Sequence, residues 1–141
     1  MDKLAIAQRC KDALWKSDKA SRALDIEVRV EAAGAASASM KIREDMINGF
    51  DVCHGGLIFT LADTAFAFAC NGYNEQTVAA SGHIEFIRPA VLGDELKAIA
   101  TEDYRGRKNG HYTIAVQNQD QELVALFRGR SSSTGKAICD V

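Results

Sequence analysis

Proline is almost absent from this chain. There is one, Pro89, in 141 residues. That excludes proline-rich stalks, and no glycine/serine tract or run of like charge divides the sequence, so a single domain over 1–141 is expected. The four cysteines, at 10, 53, 70 and 139, form no CxxC pair. A zinc ribbon and a redox dithiol are thereby excluded, and scattered free thiols suit a reducing cytoplasm. Histidines 54, 83 and 111 lack HxxxH spacing, so no metal site is expected. Neither a Walker loop nor a GxGxxG is present. The formal net charge of −2 argues against nucleic acid as the main partner. The opening "MDKLAIAQRCKDALW" is mixed and charged, so no secretory leader is expected. The longest apolar run is too short to cross a bilayer and is broken by Asp63, so no membrane partner is expected.

What is present is a clear change of period. An N-terminal helix is expected within 1–20, where Leu4, Ile6, Ala7, Cys10, Ala13 and Leu14 recur at helical spacing over residues 2–16 and Asp2 can cap the start. From Leu24, apolar Leu24, Ile26, Val28 and Val30 alternate with charged residues, which marks a half-buried strand. After "AAGA", Ala36, Ala38, Met40 and Ile42 continue a second one. Residues 43–53 read as loop. A helix is expected over 55–71, then four strands near 76–87, 94–104, 110–118 and 121–131. This order predicts an α+β domain, an antiparallel sheet with one long helix against its face.

That helix, "HGGLIFTLADTAFAFAC" with its lead-in, is apolar around most of its circumference, the pattern of a buried helix. On the wheel Thr60, Asp63, Thr64, Ala67 and Asn71 share one narrow stripe. A lone carboxylate in such a segment costs stability unless it has a use. The two glycines at the start add a second element: helix N-termini carry unpaired N–H groups that can hold an oxyanion, and glycine lets a ligand oxygen come close. Asp63 is eight residues beyond Gly55, about 12 Å along the axis. If both act on one carbonyl, they come from different chains, with two such helices antiparallel across a two-fold axis. The spacing thus implies a homodimer with composite sites. Cys53 beside His54 is read as structural, since adjacent residues rarely face each other and no group orients the histidine.

"NGFDVCHGGLIFTLADTAFAFACN" followed by "SGHIEFIRPAVLGDELKAIA" resembles the hotdog-fold acyl-CoA thioesterases, and within them the phenylacetate-pathway PaaI group, over about residues 24–135. The resemblance implies a hotdog fold, in which a curved antiparallel sheet wraps a long central helix. It implies hydrolysis of arylacetyl-CoA thioesters, phenylacetyl or hydroxyphenylacetyl in type. Asp63 would be general base or nucleophile, and the Gly55 backbone N–H would polarise the carbonyl. Asn48 and His54 would shape the carbonyl-binding end, and Ser81 would orient the water or the carboxylate. His54 also has a simpler reading, as a cap bonded to backbone groups at the helix start. A tetramer of two dimers is implied as well, and CoA enters as substrate, with no cofactor.

For the CoA phosphates, cations and N–H donors near a pocket mouth are the candidates. "YRGRKNG" offers Arg105, Arg107 and Lys108; "FRGR" offers Arg128 and Gly129; Gly56 and Arg88 complete the set. Two other functions fit less well. A hotdog hydratase or dehydratase generally pairs a histidine with an acid, whereas the "HGG" to Asp63 spacing suits a thioesterase. A non-catalytic acyl-CoA-binding module has no need of a buried carboxylate.

Overall fold

The structure, a computed structural model, describes all of residues 1–141. Helix α1 (Lys3–Ser17) is opened by Asp2, whose carboxylate accepts the Ala5 N–H at 2.8 Å. The helix expected within 1–20 is in fact two. Asp18 leaves helical geometry, and its side chain accepts the Ser21 N–H at 3.0 Å, which starts α2 (Lys19–Ala23). An aspartate that can cap a new helix competes with continuation of the old one. The first strand begins at Glu27 rather than Leu24, because Leu24 closes α2 and Asp25 takes a left-handed φ of 55°.

Strands β1 (Glu27–Ala32) and β2 (Ala35–Lys41) precede the central helix α3 (Gly55–Cys70). Strands β3 (Thr77–Phe86), β4 (Glu95–Arg105), β5 (Asn109–Gln117) and β6 (Leu123–Ser133) follow it. Every pairing is antiparallel, and the strand order is β1-β2-β4-β5-β6-β3. Helix α3 touches all six strands. Laid flat, six strands span about 24 Å, more than twice the roughly 10 Å width of a helix, so the sheet must curl around it. This is the expected α+β hotdog arrangement, with the sheet left open at both edges. No helix is long and apolar enough to cross a membrane.

The core lies between α3 and the inner sheet face. Ile58, Leu61, Ala62, Ala65, Phe66, Phe68 and Ala69 are buried from the helix. Alternate small residues Ala36, Ala38, Ala98 and Ala100 on β2 and β4 are buried beneath it, which lets helix and sheet approach closely. At the other side Phe66 packs tilted on Phe127 and Tyr112, with centroids 5.9 and 5.4 Å apart. Gly129 makes room for this: a Cβ there would lie 2.6 Å from the Phe66 ring.

Strand β3 differs from the others. It pairs only with β6, and of its ten residues only Thr77 and Ile84 are even partly covered. Val78, Phe86 and, just beyond, Ile87 are about half exposed. A long open edge with apolar side chains is a surface that soluble proteins normally cover.

Candidate active site

Beyond its first turn, where Gly55, Leu57 and Phe59 are also partly open, the residues of α3 that are not buried are Thr60, Asp63 and Ala67, which with Gly56 form one stripe. Its other members are small, so Asp63 is its one reactive group. Thr64 and Asn71, expected on the same stripe, are buried on its flank. The Thr64 hydroxyl donates to the Thr60 carbonyl at 2.8 Å. Asn71 is tied to the Ala67 and Thr77 carbonyls, both at 2.9 Å. Burial, with the negative charge of Asp18 second, holds the Asp63 carboxyl above the ordinary aspartate range. No donor or cation within the chain offsets this. Such an environment makes the carboxylate a better proton acceptor.

The N-terminus of α3 forms the second element. His54 is the cap: its Nδ1 accepts the Gly56 N–H at 3.4 Å, and its carbonyl accepts the Leu57 N–H at 3.0 Å. Of the two readings of His54, the structure shows the backbone cap. The Gly56 N–H is thereby used, while the Gly55 N–H donates to nothing in the chain. Gly55 opens into a cavity of about 310 Å³ lined by Asn48, Val52, Ile58, Phe86, Ile87 and Arg88 among others. The Phe86 ring lies across its mouth, 3.0 Å from where a Gly55 Cβ would sit. Asn48 is there for a local reason: its side-chain oxygen accepts the Phe50 N–H at 2.9 Å and shapes the loop before α3. Cys53 is buried and its thiol is pushed up to about 11, which fits a structural thiol and not a nucleophile.

The remaining candidates are dispersed. Ser81 is exposed on β3 opposite Arg130. Its neighbour Gly82 faces Phe127 and Phe59, so strand alternation turns Ser81 to the other face, and no hydrogen bond joins it to Asp63 within the protomer. Arg88 pairs with Glu122 at 3.0 Å beside the Gly55 cavity. Arg105 is held by Glu75 at 3.1 Å and lies 3.7 Å over the Tyr73 ring, beyond the far end of α3. Arg107 and Lys108 are exposed at the β4–β5 turn, and Arg128 is exposed on β6 between His83 and Thr113. Gly129 is a correction: it is buried under Phe66, so its missing side chain serves packing and not a nucleotide.

Two features were not anticipated from sequence. Phe86 reads as one more strand aromatic until Gly55 is seen beneath it. Glu102 accepts hydrogen bonds from Tyr73 and Tyr112, both at 2.8 Å, across separations of 29 and 10 residues. A larger surface concavity, about 710 Å³, is lined by outward side chains of β1, β2, β4 and β5 such as Glu27, Ser39, Lys97 and Gln117. It holds none of the candidate residues, and the smaller Gly55 cavity is the one that matches the chemistry. No three His, Cys, Asp or Glu side chains converge in a group that could hold a metal.

Comparison with known proteins decides the family. Residues 50–125, more than half of the chain, match the model of the thioesterase superfamily. The chain belongs to the thioesterase superfamily. It is 42% identical over 126 residues to acyl-coenzyme A thioesterase PaaI of Escherichia coli K12, covering 89% of this chain and 90% of that one. It is 35% identical to a putative esterase of Archaeoglobus fulgidus, over 90% of this chain and 82% of the other. In three dimensions it superposes on the E. coli PaaI protein from the phenylacetic acid degradation operon with a TM-score of 0.94 and 39% identity, covering 96% and 99% of the two chains. The TT0310 protein of Thermus thermophilus gives 0.78 at 34% identity over 82% and 97%. As a thioesterase, the protein is a thioester hydrolase. The matched span contains Gly55, Asp63, Ser81 and Arg88, while α1, α2 and Asn48 lie before it.

Proposed function

We propose that this thioesterase hydrolyses acyl-CoA, and specifically arylacetyl-CoA of the phenylacetyl or hydroxyphenylacetyl type, to free acid and CoA. The observation that carries the reading is an unpaired carboxylate, Asp63, on the one open stripe of α3, together with the unused Gly55 N–H at the helix start. Thioester cleavage needs both functions. A base or nucleophile attacks the carbonyl carbon, and a donor holds the oxygen as it becomes an oxyanion. Asp63 serves either by taking a proton from water as it adds, or by adding itself to form an anhydride that water then opens. In both routes the tetrahedral intermediate collapses with loss of the CoA thiolate.

The two groups meet across a dimer. They are about 12 Å apart within one chain, too far to share a carbonyl. Pairing β3 with a second β3 across a two-fold axis covers the open edge and sets two α3 helices antiparallel, so that Asp63 faces the partner's Gly55. The small residues Gly56, Thr60 and Ala67 permit that approach. Two such dimers form the tetramer. The apolar lining of the Gly55 cavity, with Phe86, Ile87 and Ile58, suits an aryl group or the pantetheine arm. Arg107, Lys108 and Arg128, exposed and without acidic partners, serve the CoA phosphates, with Arg88 nearest the cavity. No cofactor takes part, and four reduced thiols suit the cytoplasm.

A panel of acyl-CoAs followed by thiol release tests the substrate. Phenylacetyl- and hydroxyphenylacetyl-CoA are expected to exceed medium-chain aliphatic acyl-CoAs in kcat/KM by roughly tenfold or more. Equal or better turnover of the aliphatic esters contradicts the aryl assignment and leaves the thioesterase one standing.

A further inference from the structure

Asp63 has a neighbour that lies outside the span matched to the thioesterase family. The break between α1 and α2 places Asp18 beside α3, and a chain of hydrogen bonds fixes it there. The Ser21 hydroxyl donates to Asp18 Oδ2 at 2.7 Å, and the Ser21 N–H donates to Oδ1 at 3.0 Å. With its proton on Asp18, the Ser21 hydroxyl accepts from the Thr64 hydroxyl at 3.1 Å, and Thr64 shares that one proton with the Thr60 carbonyl at 2.8 Å. Ser21 and Thr64 are both buried. This chain therefore runs from the N-terminal helices into α3 at the residue next to Asp63 and ends on Thr60, one turn away on the open stripe. A five-residue helix has no packing need for a buried serine–threonine contact of this kind; two apolar residues would seat it as well.

We propose that Asp18 is a positioning residue for thioester cleavage: through Ser21 and Thr64 it fixes the stripe of α3 that carries Asp63, and it holds a second negative charge one hydrogen-bonded residue away from Thr64, the residue that follows Asp63. The proposal rests on Asp63 being the catalytic group.

No other ionisable group competes for this role. From α1, which packs Trp15 on Phe68, Asp12 and Lys16 are exposed and Lys11 is half-buried, and none of them shifts the Asp63 carboxyl; from α2, Lys19 and Arg22 are exposed. From β1, Val28 and Val30 point inward, and from β2 the inward side chains are Ala36, Ala38 and Met40, with Ser37 also buried. From β6 they are Ala125, Phe127, Gly129 and Ser131. On β3, His83 and Glu85 pair with each other at 2.7 Å in solvent. From β4 and β5, Glu102 and Tyr112 are bound together with Tyr73 at the far end of α3. Cys70, on α3 itself, is buried, and its thiol is pushed up to about 12, chiefly by that burial. The one charge that raises the Asp63 carboxyl, after burial itself, is that of Asp18. Because the ionised Asp63 is the reactive form, activity falls as pH drops through its pKa. Removing the Asp18 charge eases ionisation and moves that fall to lower pH.

The test is the pH dependence of kcat/KM for Asp18→Asn in the full chain. Asparagine keeps the capping oxygen for the Ser21 N–H, removes the charge, and replaces the oxygen that accepts the Ser21 hydroxyl with an NH2. The acid limb is expected to move to lower pH relative to wild type. Asp18→Ser, a neutral cap of different shape, is expected to move it the same way. Ser21→Ala keeps the charge and cuts the link, and is expected to lower kcat with KM unchanged. An acid limb unmoved in both Asp18 variants overturns the proposal. Asp63→Asn separates the two levels of failure. Turnover surviving in that variant overturns the assignment of Asp63 itself, whereas turnover lost there, with the limb unmoved in the Asp18 variants, overturns only the role of Asp18.

Discussion

Replacing Asp63 by asparagine is expected to lower kcat by roughly 10³-fold while leaving the fold intact. Asparagine has the shape of aspartate but neither accepts the proton nor attacks the thioester. Nothing in the protomer depends on the charge, since no cation or donor is paired with it. Stability should move the other way. Burial and Asp18 raise the Asp63 carboxyl in the folded state. A group raised on folding contributes stability below its unfolded pKa and loses it as pH rises through the folded value. Once the pH is above the folded value the wild-type chain has lost that contribution, so Asp63→Asn should melt no lower than wild type there. The difference should vanish in acid, where both side chains are neutral. Thermal melts at both pH values, beside a thiol-release assay, check the two halves. Turnover within a few-fold of wild type would remove Asp63 from the chemistry.

Gly55→Pro is expected to lower kcat by about 10²-fold, the typical loss of one oxyanion donor. The substitution is mild in every other respect. Gly55 is the first residue of α3, where proline is favoured because its missing N–H has no helical partner. His54 before it sits at φ −58° and ψ 128°, the extended region a following proline requires. The added ring meets only the tip of Phe86, an exposed side chain able to swing aside. Far-ultraviolet circular dichroism unchanged from wild type, with turnover also unchanged, would show that the Gly55 N–H does not hold the oxyanion.

The elements most legible in the sequence were those set by local pattern. The glycine-opened apolar run became α3 to within a residue, period-two alternation located the first two strands, and turn-like stretches such as "RGRKNG" and "NQDQ" set off the other four. What failed depended on hydrogen bonds and packing that periodicity does not register, some of them local and some far along the chain. The break at Asp18 is invisible to periodicity, because the apolar spacing of α1 gives no sign of a capping aspartate until Ser21 is counted. Thr64 and Asn71 looked like stripe residues because a helical wheel treats polar as solvent-facing; each is instead buried and spends its hydrogen bonds on backbone carbonyls. Gly129 beside two arginines suggested a nucleotide contact, but its reason is Phe66, 63 residues earlier on the other side of the core. Arg105 looked free in its turn, yet its partner Glu75 lies 30 residues away. The exposure of β3 was equally hidden: its sequence carries no mark of an edge, and only the strand order shows that it stands there.

The same 12 Å separation that the sequence implied makes one mixing experiment decisive. Asp63→Asn and Gly55→Pro chains, each expected to keep no more than about a hundredth of wild-type turnover alone, are co-refolded in equal amounts, and formation of mixed dimers is verified by native mass spectrometry. If each site takes Asp63 from one chain and Gly55 from its partner, half of the dimers are mixed and each holds one intact site, so about a quarter of wild-type activity returns. If both groups belong to a site within one chain, every site in the mixture is broken. Verified mixed dimers with no recovered thiol release would contradict the composite site.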